Sequence, residues 1–97
     1  MKRRRFIIIH PDDNVATAVS EIAEGEVLAV EGGSPPEVRI RDEIPYGHKF
    51  AVTAIPKGRD ITKYGECIGR ASEDIEPGAY VHVHNVESMR GRGDLKE

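Results

Sequence analysis

His48, His82 and His84 are the side chains of this sequence best suited to moving protons near neutral pH, where imidazole titrates. His82 and His84 stand two apart in Val81-His82-Val83-His84-Asn85, so in a strand their side chains leave on one face. That spacing suits a metal ion and equally an acid–base pair, and a half-exposed strand with a polar face is the plain alternative. His48 follows Gly47 in Ile44-Pro45-Tyr46-Gly47-His48-Lys49-Phe50, which puts it on a tight turn with Lys49 beside it. There it either faces a cleft or bonds nearby backbone. Lys63 and Tyr64 precede Gly65-Glu66; an ammonium neutralises a substrate carboxylate and a phenol hydrogen-bonds it, although surface lysines are common. Asn85 either orients a substrate hydroxyl or caps a turn. No cysteine or carboxylate stands at a recognised metal-ligand spacing from the histidines, so no metal site is assigned to this chain.

Other features carry less chemistry. Cys67 is the only cysteine, and the Glu66 carboxylate beside it disfavours a thiolate, so it reads as a packing residue. His10-Pro11-Asp12-Asp13-Asn14 places aspartates where free backbone N–H groups need acceptors. Arg92-Gly93-Asp94 matches an adhesion tripeptide only by coincidence. Phosphate-binding glycine loops, a serine triad and a zinc cysteine set are all lacking.

The elements that must position these residues are short. Phe6–His10 reads as a first strand closed by Pro11. Asp12 or Asp13 then offers an N-cap, and Val15, Ala18, Val19 and Ile22 recur at helical spacing, predicting one helix over 14–24 ended by Gly25. Further strands are expected at 27–30, 38–40, 50–54, near 68–71 and at 80–84, with a mobile loop at 32–36. Ile22-Ala23-Glu24-Gly25, Ile55-Pro56-Lys57-Gly58 and Ile75-Glu76-Pro77-Gly78 each set an isoleucine three residues before a glycine. Tyr46-Gly47 and Tyr64-Gly65 also recur. A small β-fold with pseudo-twofold symmetry would produce such pairs.

Ninety-seven residues make a single domain, 1–97, with a thin core and little material to wall a cleft. Composition therefore favours a subunit over a complete enzyme, and such a subunit should leave an apolar patch uncovered. The net charge is −3; Lys2, Arg3, Arg4 and Arg5 contribute +4, leaving −7 on the rest. Residues 1–5 read as a solvated basic tip, since no basic stripe or interleaved aromatics follow to bind nucleic acid. The apolar run Phe6–Ile9 is too short for a signal peptide or membrane span, and a lone cysteine suits the cytoplasm. The tail 88–97 lacks apolar content and is expected to be flexible.

Taken in order, His10–Ala16, Ile44–Val52, Lys63–Ala71 and Val81–Asn85 resemble the SAF domain of altronate and galactarate dehydratases, which in some members is a separate small subunit. The resemblance implies a β-clip fold, here mainly β with one helix. It implies a part in dehydrating a sugar acid such as altronate or galactarate, with a large catalytic subunit as partner and the isolated chain inactive. A divalent metal, iron, would belong mainly to that large subunit. On this reading His48, His82 and His84 are catalytic, while Lys49, Lys63, Tyr64 and Asn85 bind substrate. The tail from Asn85 to Asp94 is similar to a branch that eliminates sulfite from sulfolactate. A non-catalytic module that orders the large chain is the other reading, and self-association is open to the chain when alone.

Overall fold

The same backbone device occurs four times and sets the architecture. In Ile22–Gly25, Ile44–Gly47, Ile55–Gly58 and Ile75–Gly78 the isoleucine is buried and the glycine has positive φ. The residue after each glycine donates its N–H to the carbonyl of the residue after the isoleucine: Glu26 to Ala23, His48 to Pro45, Arg59 to Pro56 and Ala79 to Glu76. This is a type II turn, which requires positive φ at its third residue. The isoleucines then exchange both backbone bonds in pairs, Ile22 with Ile44 and Ile55 with Ile75. Each turn glycine also donates to the residue four before its partner isoleucine: Gly25 to Ile40, Gly47 to Ala18, Gly58 to Ala71 and Gly78 to Ala51. The result is two equivalent units with pseudo-twofold pairing inside each. Three of these turns were legible as a repeat; Ile44–Gly47 completes the set.

The computed structural model describes residues 5–30 and 36–87, which hold nine short strands and no helix. β1 (Phe6–Ile7), β2 (Val15–Ala18), β5 (Lys49–Ala51) and β8 (Tyr80–Val81) form one antiparallel sheet in the order β1-β2-β5-β8. β3 (Val27–Ala29) pairs with β4 (Glu37–Arg39), and β6 (Asp60–Lys63), β7 (Glu66–Ala71) and β9 (Val86–Glu87) form a third sheet. No helix of the described residues is long and apolar enough to cross a membrane.

The helix expected over 14–24 is replaced by β2 and the first turn. β2 runs between the two cores: Ala16 and Ala18 join a cluster around Ile22, Ile44 and Phe50, while Val15 joins another around Ile55, Ile61 and Ile75. A strand buried on both faces shows no alternation, so the 3–4 spacing of Val15, Ala18, Val19 and Ile22 was coincidence. Helix propensities differ by less than ~1 kcal/mol per residue, whereas burying each Val or Ile contributes about 1.5–3 kcal/mol, so packing decides. Gly25 has its expected positive φ, but in a turn.

Strand bounds also moved. β1 stops at Ile7, β5 at Ala51 and β8 at Val81, short of the expected 6–10, 50–54 and 80–84. Arg5 is not a solvated cation. Its guanidinium bonds Glu26 at 2.8 Å, Ser20 Oγ at 2.9 Å and the Glu21 carbonyl at 2.9 Å. The rest of the basic tip, most of the expected mobile loop and the tail 88–97 lie outside the described residues.

Asp13 accepts backbone N–H groups, though they belong to a hairpin turn and to His10 and not to a helix start. The β6–β7 turn is Tyr64-Gly65, both at positive φ, as a two-residue type I′ hairpin demands. Asp13 Oδ1 takes the Gly65 N–H at 2.8 Å and Oδ2 the His10 N–H at 3.2 Å. Burial alone would raise the Asp13 carboxyl, but the backbone N–H groups of Gly65, Tyr64 and His10 outweigh it and hold the group below its ordinary range.

Two stability tests follow. A folded-state pKa below the unfolded one means Asp13 contributes stability above about pH 4 and loses it as pH falls through the folded value. Asp13→Asn should cost on the order of 1–3 kcal/mol at neutral pH and flatten the acid limb of the urea-denaturation profile. Gly58→Ala and Gly78→Ala separate strain from collision. Both glycines have positive φ, but a Cβ at Gly58 meets nothing within 4 Å, whereas at Gly78 it would overlap the Arg39 carbonyl oxygen. Denaturation midpoints should show about 1–2 kcal/mol lost at Gly58 and about 3 kcal/mol or more at Gly78.

Candidate functional site

The turn at Pro45-Tyr46-Gly47 delivers His48 to the head of β5. Its N–H donates to the Pro45 carbonyl at 3.1 Å and its carbonyl accepts from Ala18 at 2.8 Å, so the backbone under the imidazole is fixed from both sides. Register pairs Phe50 with Tyr80, and the alternation of β5 puts His48 and Phe50 on one face and Lys49 on the other. Tyr80 is half-buried against the first core and its N–H donates to Asp42 Oδ2 at 3.0 Å.

Past Val81 the chain does not continue as a strand. His82-Val83-His84-Asn85 makes a turn stapled by the buried Asn85 side chain. Asn85 Oδ1 accepts the His82 N–H at 3.0 Å, Nδ2 donates to the Tyr80 carbonyl at 2.9 Å, and the Asn85 N–H donates to the His82 carbonyl at 3.0 Å. Of the two roles open to Asn85, turn capping is the one its bonds display.

This turn gathers the three histidines around Tyr80. The His82 ring lies parallel to Tyr80 at 5.3 Å between centroids, His84 is tilted against it at 5.8 Å, and His48 meets it edge-on at 5.7 Å. His48 and His82 also touch edge-to-face at 5.2 Å. His82 and His84 are exposed; His48 is half-buried, and its Nδ1 is shielded from solvent without a hydrogen-bond partner. Tyr80 was missed by the sequence reading, although alternation along a strand sets residues 80 and 82 on one face and could have found it. Tyr46 and Val83, flanking the histidines in sequence, are 69% and 80% exposed, far more than such side chains usually are.

Lys49, Lys63 and Tyr64 form a separate group. The Lys63 ammonium lies over the Tyr64 ring, 4.8 Å from its centroid. Lys49 is held below its ordinary pKa, first by burial and then by the Lys63 charge. Cys67 is exposed and not packed; its thiol donates to the Gly69 carbonyl at 3.2 Å.

The histidines meet at the surface, His82 and His84 exposed and His48 half-buried. A cavity of about 480 Å³ is lined by Asn14, Thr53, Pro56, Arg59, Asp60 and Thr62, and another of about 330 Å³ by Glu24, Arg39, Arg41 and Asp42. His48, His82 and His84 line neither. The titratable rings are gathered around Tyr80 and not in either cavity. Among the described residues, no group of three His, Cys, Asp or Glu side chains is placed to hold a metal ion.

Comparison with known proteins gives this geometry its context. Residues 4–89 match the altronate/galactarate dehydratase SAF domain. Altronate dehydratase of Escherichia coli is 43% identical over 84 residues, covering 87% of this chain but 16% of the enzyme. Galactarate dehydratase (L-threo-forming) of the same species is 34% identical over 76 residues, 78% of this chain and 14% of the enzyme. The (2R)-sulfolactate sulfo-lyase subunit alpha of Chromohalobacter salexigens is 34% identical over 89 residues, 88% of this chain and 95% of that subunit. The chain thus spans about a sixth of the dehydratases and nearly all of the sulfo-lyase subunit, and it belongs to the SAF domain family of altronate and galactarate dehydratases.

Proposed function

We propose that this chain is the small subunit of a cytoplasmic sugar-acid dehydratase, a β-clip domain that lends acid–base groups to a site completed by a large catalytic subunit. The observation that carries the reading is the Tyr80-centred cluster of His48, His82 and His84 on open surface. The identity to altronate dehydratase supports the chemistry, and the near-complete overlap with the sulfo-lyase subunit alpha supports the separate-subunit arrangement.

Dehydration of a 2-hydroxy acid removes a proton from the carbon bearing the carboxylate and expels hydroxide from the next carbon, where a proton is added to release water. One imidazole accepts the first proton and another supplies the second. The contact between His48 and His82 puts two such groups within one substrate's reach. Tyr80 holds the His82 plane and backs His84. A divalent metal, iron, would polarise the carboxylate and the leaving hydroxyl. Among the described residues no group of three His, Cys, Asp or Glu side chains is placed to hold it. Our reading assigns its ligands to the large subunit. The overlap with subunit alpha also favours a second reading, in which the leaving group is sulfite from sulfolactate.

The test is co-expression with a large dehydratase subunit, measuring water loss from altronate and galactarate beside sulfite release from sulfolactate. The chain alone should show no turnover. In the complex, His48→Ala, His82→Ala and His84→Ala should each lower the rate about 10²-fold or more, with assembly by gel filtration unchanged and most of the metal retained. Near-normal rates in assembled variants would make the histidines scaffold and the chain a non-catalytic module.

A further inference from the structure

The two equivalent units differ at one sheet edge. Counted from Gly25 and Gly58, β3 of the first unit corresponds to β6 of the second, Val27 to Asp60 and Ala29 to Thr62. Gly25 donates to Ile40 as Gly58 does to Ala71, and Ile40 and Ala71 donate in the same way to Glu26 and Arg59. In both hairpins the residues two and four past the glycine therefore turn their backbone N–H and C=O groups away from the paired strand. In β6 that outer edge is closed by Asn14. Its N–H donates to the Thr62 carbonyl at 3.2 Å, its Oδ1 accepts the Thr62 N–H at 2.8 Å and its Nδ2 donates to the Asp60 carbonyl at 2.9 Å.

The position equivalent to Asn14 is Arg5. Each gives its carbonyl to the N–H three residues before a turn isoleucine, Asn14 to Val52 and Arg5 to Val19. Arg5 does not close the edge of β3. A guanidinium has no acceptor for an N–H, and this one is engaged by Glu26, Ser20 and the Glu21 carbonyl. The outward N–H and C=O groups of Val27 and Ala29 have no partner among the described residues. Edge strands are ordinarily guarded by a charge, a proline or a bulge. Val27-Leu28-Ala29 has neither charge nor proline, pairs with β4 without a register shift, and leaves Val27 57% exposed.

We propose that the outer edge of β3 pairs antiparallel with β3 of a second copy of this chain, joining the two hairpins into one sheet. A two-fold axis through Leu28 sets Val27 opposite Ala29 of the second copy, so the outward groups of each find a donor or acceptor in the other. The register also matches charge. Within the hairpin Val27 lies opposite Arg39 and Ala29 opposite Glu37, and all four are exposed. Each outer row of the joined sheet then runs Arg39, Val27, Ala29, Glu37, the last two from the second copy. Every row ends in opposite charges and is apolar at its centre. Among the described residues neither Arg39 nor Glu37 has an ion-pair partner within the chain. The pairing uses neither Tyr46 nor Val83 and does not rest on the reading of the histidines.

Two short strands bury little surface, so the dimer should be weak, with a dissociation constant of about 0.1–1 mM. Sedimentation equilibrium of the full chain across that range measures it, and amide NMR locates it. The Val27 and Ala29 N–H signals should shift saturably with concentration and exchange more slowly with solvent. A mixed-label sample should give NOEs between Val27 of one copy and Ala29 of the other. Ala29→Pro removes an outward donor without touching a bond to β4, and should weaken self-association about tenfold or more, with folding checked by circular dichroism. Val27→Lys, which charges the edge, should do the same, while Val83→Lys should not. A chain that stays monomeric throughout that range, shifts confined to Val83 and the histidines, or a dimer indifferent to both β3 variants would overturn the proposal. Neither a partner subunit nor turnover enters these measurements, so their failure leaves the reading of the histidines untouched.

Discussion

The reciprocal bond between paired isoleucine turns is the constraint on which the rest of the molecule depends. Each glycine bends the chain so that its own N–H, and the carbonyl of the next residue, reach the strand entering the partner turn. Ala18, Ile40, Ala51 and Ala71 occupy the receiving positions, and all are buried. The four turns are therefore bonded in pairs at their roots as well as at their isoleucines. A domain with so thin a core gains from this, because backbone bonds fix geometry that sparse side-chain packing would leave loose. The units are joined by β5, whose Phe50 belongs to one core and Ala51 to the other, and by the approach of Gly78 to Arg39 and Ile40.

That frame explains why the histidines meet. His48 is the residue that closes the second turn, and Tyr80 lies one residue past the closure of the fourth. β5 and β8 pair directly after those turns, so pairing the strands brings His48 to Tyr80 without any contact between the side chains having to direct it. Asn85 then folds the chain back, carrying His82 and His84 onto the same ring. Backbone register does the positioning and one buried carboxamide finishes it.

The β class, several strands and the turn repeat were readable because Gly and Pro punctuate the sequence at fixed distances from isoleucine. The helix over 14–24 was misread because β2 is buried on both faces, and a doubly buried strand carries neither period. For the site, the three histidines were legible as residue types, and their grouping was not. The sequence pattern suggested a shared strand face for His82 and His84, whereas an asparagine-stapled turn brings them to Tyr80. Lys49 was expected beside His48 because they are neighbours in sequence; strand alternation separates them. Asp13 was read correctly as an acceptor of backbone N–H groups but assigned to a helix start, whereas it takes the nearby His10 N–H and that of Gly65, 52 residues away in a hairpin turn.

A proton-transfer site usually excludes water, because solvent screens the charges it must stabilise and competes for the protons it moves. His82 and His84 lack that shelter: both are exposed, and Tyr46 and Val83, which flank the histidines in sequence, project apolar surface. Exposed apolar side chains beside mutually touching imidazoles are costly for a free-standing surface and useful at a covered one. A second chain laid over Tyr46 and Val83 would bury them and dry the site in the same event. Association and the completion of the chemistry would then be a single step, with the apolar flanks supplying the affinity and the imidazoles the protons.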